Sequence, residues 1–363
     1  MAVTKDAVLE ALKKVNDPEI NKSLVDLGMI RDIEVVDSAV KVTVALTMAG
    51  CPLKSRIRDD VLKAVQSVEG VSHAEVVLTA MTSEERARLF GKKPDEMEGI
   101  KDVKNIIAVG SGKGGVGKTT VSVNLAIALK DLGYGVGILD ADMHGPDVPI
   151  MLGITERPLG SKGMLLPLEK FGVKVMSTGT LAGEGVPIVW RGPLVNKAVK
   201  EFLGKVKWGK LDFLIVDLPP GTGDAVLTVS KNIPLQGVII VTTPQKVAVE
   251  DVRRCIGLFK TQSIPVLGIV ENMSYLKIPG QEGEVLDIFG SGGGEKIAKA
   301  FKVPLLGKIP IEKAVTEGGD AGKPVALNPE SEAAKAFHEI AERILERFGY
   351  KACEEKNDGQ KQF

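Results

Sequence analysis

Residues Gly112-Lys113-Gly114-Gly115-Val116-Gly117-Lys118-Thr119-Thr120 contain the pattern G-x-x-x-x-G-K-[ST] in full, from Gly112 to Thr119. A strand-like run, Ile106–Val109, leads straight into it, and a helical pattern over Thr119–Leu132 follows. That context matters, because the chemistry needs a strand to aim the loop and a helix N-terminus to receive an anion. The glycines let successive backbone N–H groups turn toward one point and wrap phosphates. Lys118 supplies a cation for β- and γ-phosphates, and Thr119 offers a hydroxyl to Mg²⁺. A flexible glycine-rich turn with no ligand would need neither the lysine nor the flanking elements.

Two further strand ends carry acids. One reads Ile138-Leu139-Asp140-Ala141-Asp142-Met143-His144 and the other Leu214-Ile215-Val216-Asp217-Leu218-Pro219-Pro220-Gly221. In a parallel sheet the carboxyl ends of strands are where ligand chemistry collects. Asp140 and Asp142 beside a phosphate loop would repel the nucleotide unless they face Mg²⁺ or a water. An apolar strand closing on Asp217 is suited to holding Mg²⁺ through water. Pro219-Pro220-Gly221 makes a stiff turn ending in a permissive residue, able to bring the Gly221 N–H near a γ-phosphate and to move when it leaves. His144 has no spacing that gives it a partner, and a turn histidine is the simpler reading.

The elements that must position these residues follow from the texture of the chain. Its 363 residues suggest two or three domains. From Asn105 to about residue 350, apolar runs at 106–109, 136–139, 173–176, 213–216, 238–241, 266–270 and 305–309 alternate with helical patterns. Such alternation predicts an α/β domain with a mostly parallel, doubly wound sheet. The last helix, Ser331–Phe348, sets Phe337, Ile340, Ala341, Ile344 and Phe348 on one stripe against a charged opposite face, which suits packing on a core rather than a membrane. Residues 1–82 read as a small α+β domain: a helical stripe ending at Asp17-Pro18, one or two strands over Ile33–Leu46, a helix over Pro52–Val68 and a strand over Ala74–Leu78. Residues 83–104 read as a short helix and then a solvated linker, and 351–363 as a disordered tail.

Composition closes several classes. Lys plus Arg and Asp plus Glu are both 47, which gives no reason to expect a nucleic-acid or polybasic membrane partner. No apolar run approaches the roughly 18 residues of a membrane span. The polar start Met1-Ala2-Val3-Thr4-Lys5-Asp6 is unlike a secretory signal, and Cys51, Cys255 and Cys353 are too few and scattered for a disulfide framework. Together these point to the cytoplasm.

Lys113, at the start of the loop, resembles the signature lysine of the deviant Walker A ATPases, the class of MinD, ParA, the nitrogenase iron protein and Get3. The resemblance implies a homodimer in which Lys113 reaches the nucleotide of the other subunit; the plainer alternative is a lysine balancing phosphate charge within its own subunit. It implies that Asp142 positions the attacking water, that Asp140 supports the metal shell, and that Asn272 contacts adenine. Within that class, Asp140-Ala141-Asp142-Met143-His144-Gly145-Pro146, Trp190-Arg191-Gly192-Pro193, Trp208-Gly209-Lys210-Leu211-Asp212, Leu218-Pro219-Pro220-Gly221-Thr222-Gly223-Asp224 and Glu271-Asn272-Met273-Ser274 resemble the Mrp/ApbC-type iron–sulfur cluster carriers. The N-terminal strings Asp17-Pro18-Glu19-Ile20 and Thr47-Met48-Ala49-Gly50-Cys51-Pro52 resemble the PaaD/SufT-like domain often fused to them. This implies an Mg·ATP-hydrolysing ATPase acting in iron–sulfur assembly, with assembly proteins or apoproteins as partners. A helix N-terminus would favour the Cys51 thiolate and make it a candidate cluster ligand, whereas many free cysteines are simply small buried hydrophobes.

The sequence departs from those carriers at one place. They follow Asn-Met-Ser with a C-x-x-C that holds a [4Fe–4S] cluster between subunits, and here those two positions fall on Ile278 and Gln281. Neither is a thiolate. The alternative this keeps open is a MinD/ParA-like positioning or partner-binding protein without a metal cluster.

Overall fold

The computed structural model describes residues 3–18, 22–47, 53–82, 85, 94–161, 163–181, 192–278 and 284–350. In the N-terminal unit, helix α1 (Lys5–Leu12) starts at Thr4, whose hydroxyl accepts from the Ala7 N–H, and it buries Val8 and Leu12. The apolar run expected to be one or two strands is two: β1 (Ile30–Val36) and β2 (Ala39–Leu46) pair antiparallel around a turn in which Asp37 takes φ +54°. Helix α2 (Lys54–Gln66) buries Ile57, Val61 and Val65, a four-residue spacing that lays one face on the sheet. It returns the chain to β3 (His73–Ala80), parallel to β2. Cys51 lies outside the described residues.

The solvated connector expected over residues 83–104 ends sooner. Residues Pro94–Ile100 form a 3₁₀ turn, and Met97, Ile100 and Val103 are buried. A Cβ at Gly99 would collide with the backbone carbonyls of Leu203 and Val206, so this turn lies hard against the helix α5 (Gly192–Lys205). Charged residues dominate this stretch, and the three apolar residues among them do the packing.

The large domain is one eight-stranded sheet. Its strands in chain order are β4 (Val103–Ser111), β5 (Val136–Asp140), β6 (Leu168–Lys170), β7 (Val173–Ser177), β8 (Leu211–Asp217), β9 (Gly237–Thr242), β10 (Val266–Glu271) and β11 (Leu305–Lys308). Across the sheet they run β11-β10-β9-β4-β8-β5-β7-β6, all parallel except the edge pair β6/β7. Every residue of β5 and β9 is buried, as expected of strands covered on both faces. Helices α3 (Lys118–Asp131) and α10 (Glu332–Arg347) cover one face, where Phe337, Ile340, Ala341 and Ile344 join the core. On the other face α5 and α7 (Lys246–Thr261) enclose Trp208, Phe202 and Phe259. Cys255 sits on α7, 1% exposed, and burial pushes its thiol up to about 12. Among the described helices none is long and apolar enough to cross a membrane.

Candidate nucleotide site

Register places the acids in one row. Asp217, the last residue of β8, pairs with Val109 on one side and Asp140 on the other, and Asp140 pairs with Ser177 at the end of β7. The loop leaving β4 passes in front of this row. Gly115 and Gly117 take φ +77° and +81°, where a side chain would be strained. Gly117 is also the N-cap of α3, so no cap side chain claims the helix's first N–H groups. Those donors and the helix dipole are what a phosphate needs. A Cβ at Gly112 would meet the backbone of Asp251, and one at Gly117 would strike the Asn272 amide, so the loop is fitted closely from behind. Asn272, nominated as an adenine contact, is 4% exposed and its Nδ2 donates to Val116 O at 2.9 Å. It holds the phosphate loop down from the end of β10.

The charges lie in a buried knot. Lys118 Nζ is 2.8 Å from Asp217 Oδ2 and 3.6 Å from Asp142 Oδ2. Asp217 Oδ2 also accepts from Thr119 Oγ1 at 2.8 Å, and Oδ1 accepts from Ser122 Oγ at 2.6 Å. Asp140 accepts from Ser177 Oγ at 2.8 Å and from the Asp142 N–H at 3.1 Å. Two carboxylates pair with one buried ammonium, and a third, Asp140, stands beside them. Burial, reinforced by the charge of Asp217, raises the Asp140 carboxyl well above its ordinary range, and burial raises Asp142 against the opposing pull of Lys118. In front of the knot opens a cleft of about 1080 Å³, lined by the loop with Lys113, and by Asp142, Pro220, Asn272, Met151 and Ile311. His144 stands at its rim, exposed and in a turn.

Gly221 departs from expectation in one respect. It takes φ +85°, as a permissive turn residue should, but its N–H donates to Ser111 O at 3.0 Å instead of opening onto the cleft. A role at a γ-phosphate therefore requires that bond to break. Sequence reasoning missed Ser122, Ser177 and Glu271. Glu271 is fully buried at the end of β10, where it accepts from Ser274 Oγ and the Gly294 N–H, both at 2.5 Å. The sole available signal was Ser122, spaced three and four residues from Thr119 and Lys118 and so on the same helix face.

The Asp140 shift fixes a prediction. Because the folded protein holds that proton more tightly than the unfolded chain does, its contribution to stability falls as pH rises from the unfolded carboxylate range toward the raised folded value. Asp140→Asn removes the buried charge and keeps the shape. The nucleotide-free variant should melt a few degrees higher than wild type at neutral pH and lose that advantage in mild acid, on the scale of about 2–4 °C per kcal/mol. Equal melting curves across pH would show that Asp140 carries no strained charge.

Comparison with known proteins bears on what this cleft serves. Residues 102–345 match the family described as NUBPL iron-transfer P-loop NTPase, and residues 5–77 match the family described as iron–sulfur cluster assembly protein. An iron–sulfur cluster carrier protein of Synechocystis sp. is 47% identical over 350 residues, covering 94% of this chain and 97% of the relative. One of Deinococcus radiodurans is 42% identical, covering 96% and 97%. Among solved structures, a nucleotide-binding protein in complex with ADP from Archaeoglobus fulgidus is 38% identical with a TM-score of 0.58, over 65% of this chain and 93% of that one. The septum site-determining protein MinD with Mg-ADP from Pyrococcus horikoshii, 24% identical at TM-score 0.51 over 66% and 96%, shares the fold.

Proposed function

The chain belongs to the NUBPL iron-transfer P-loop NTPase family, the iron–sulfur carrier group active in cluster assembly and transfer, and on that premise we propose that it is an Mg·ATP-hydrolysing carrier working as a homodimer. The observation that carries this reading is the convergence of Lys118, Thr119, Asp142 and Asp217 behind one loop. In the structure Lys118 neutralises the acids of its own site. A triphosphate in the cleft offers that ammonium more negative charge, so Lys118 turns from Asp217 and Asp142 to the phosphates. Asp217 and the Thr119 hydroxyl are hard oxygen donors that would hold Mg²⁺. When bound, Mg²⁺ neutralises charge on the β- and γ-phosphates. Asp142, freed of Lys118 and at the cleft wall, orients the attacking water, while Asp140 supports the acids from behind. Lys113, half-buried in the cleft wall, serves the nucleotide of the second subunit. Asn272, which lines the cleft and is tied to Val116, is the adenine contact in this reading.

Iron and sulfide are the cargo in this reading. Ile278 follows the strand Leu276–Lys277 of a short hairpin and its N–H donates to Glu284 O; Gln281 lies outside the described residues. Among the described residues no group of three or more His, Cys, Asp or Glu could hold a metal, and Cys255 is closed off by burial. In this reading cargo is held loosely, through Cys51 and thiols supplied by a partner. The match of residues 5–77 to an assembly family favours this over a positioning protein without a cluster. The experiment is anaerobic isolation, with iron and acid-labile sulfide as the expected yield; a protein that takes up neither on reconstitution removes the cargo from the proposal.

A further inference from the structure

We propose that Ser122 is a positioning residue for Asp217, selecting which carboxylate oxygen faces Mg²⁺ in the cleft. This rests on the reading of the cleft as an Mg·ATP site. The two oxygens of Asp217 are not equivalent. Oδ2 carries Lys118 Nζ and Thr119 Oγ1, each at 2.8 Å, whereas Oδ1 carries Ser122 Oγ at 2.6 Å. Lys118 and Thr119 are the groups that phosphate and metal recruit, so both leave Oδ2 when the cleft fills. Ser122 is 0% exposed, one turn further along α3, and has no place to go. Its hydroxyl has one other acceptor nearby, Lys118 O at 3.2 Å, which is longer and uncharged. A hydrogen bond to a charged acceptor is the stronger of the two.

The consequence is a division of labour. The carboxylate torsion of Asp is broad and nearly two-fold, so an unanchored Asp217 would present either oxygen, or turn both away, once Lys118 and Thr119 let go. Ser122 holds Oδ1 throughout and leaves Oδ2 facing the cleft as the one oxygen free for the metal shell. Groups that orient metal-binding side chains typically contribute about 10–100-fold to metal affinity.

The test uses full-length protein and calorimetry with the imido analogue of ATP, which is not hydrolysed. Binding is titrated at a series of Mg²⁺ concentrations and again in excess EDTA. Ser122→Ala should need about tenfold more Mg²⁺ for half-maximal enhancement of binding, with metal-free affinity within about twofold of wild type. Ser122→Thr, which keeps the hydroxyl, should restore the Mg²⁺ midpoint. An unchanged midpoint in Ser122→Ala would overturn the inference. So would a loss of the same size with and without metal, the signature of a helix merely disturbed. If the wild-type protein itself gains no affinity from Mg²⁺, it is the nucleotide-site reading that fails, and Ser122 with it.

Discussion

Lys118→Ala will lose Mg·ATP binding altogether on the scale of a calorimetric titration. Lys118 is 7% exposed and, among the described residues, is the cation paired with Asp217 and Asp142 in the knot of carboxylates. Removing it leaves three buried acids facing a cleft that must admit a triphosphate. In the filled cleft that ammonium pairs with the phosphates, and leaving a buried charge without its partner costs about 3–5 kcal/mol; each 1.4 kcal/mol is about tenfold in affinity. Repulsion of the incoming phosphates adds to that, so a loss of roughly 10³-fold or more follows. The variant also tests the fold of the site: with no ammonium, Asp142 and Asp217 repel, and the nucleotide-free protein should melt lower than wild type. Unchanged ATP affinity would overturn the assignment of the phosphate loop.

Asp142→Asn should separate binding from turnover. Asp142 is 8% exposed, lines the cleft, and reaches Lys118 at 3.6 Å, while its Oδ1 accepts from the Gly145 N–H at 3.4 Å. The amide keeps that shape and one acceptor and loses the charge that orients a water. Groups in this role contribute about 10²–10⁴-fold to rate, so phosphate release should fall by that factor while Mg·ATP affinity holds or rises through reduced repulsion. A variant that binds and does not turn over should accumulate as an ATP-bound dimer on gel filtration. Wild-type phosphate release would move the water-orienting role to another carboxylate.

Much of this site could be read in the chain because its chemistry constrains local sequence. A loop that wraps phosphate needs glycine at Gly115 and Gly117, and those positions do take positive φ. Strands buried on both faces must be continuously apolar, so the ends of β5 and β8 stood out and with them Asp140 and Asp217. Residues whose role depends on distant partners left no such mark. The antiparallel edge strand Leu168–Lys170 is three residues long and two of them are charged, with no periodicity to detect. Ser177 meets Asp140, and Asn272 meets Val116, across 37 and 156 residues of chain. Only the sheet register brings them together. Gly221 was legible as a permissive turn, but the capture of its N–H by Ser111 depends on how β4 and β8 lie side by side.

The chain belongs to the iron–sulfur carriers and has Ile278 and Gln281, not thiolates, at the positions where the resemblance puts a C-x-x-C. A [4Fe–4S] cluster is held by four thiolates or close substitutes, and two copies of Cys51 in a dimer supply two. The most direct measurement is anaerobic reconstitution with iron and sulfide, read by absorbance and by iron and acid-labile sulfide per dimer, on the wild type and on Cys51→Ser and Cys255→Ser. The expected result is a labile, substoichiometric cluster that survives Cys255→Ser and disappears in Cys51→Ser. A stable, stoichiometric [4Fe–4S] cluster that persists in Cys51→Ser would contradict it, and would place the ligands on Cys255, Cys353 or side chains other than cysteine.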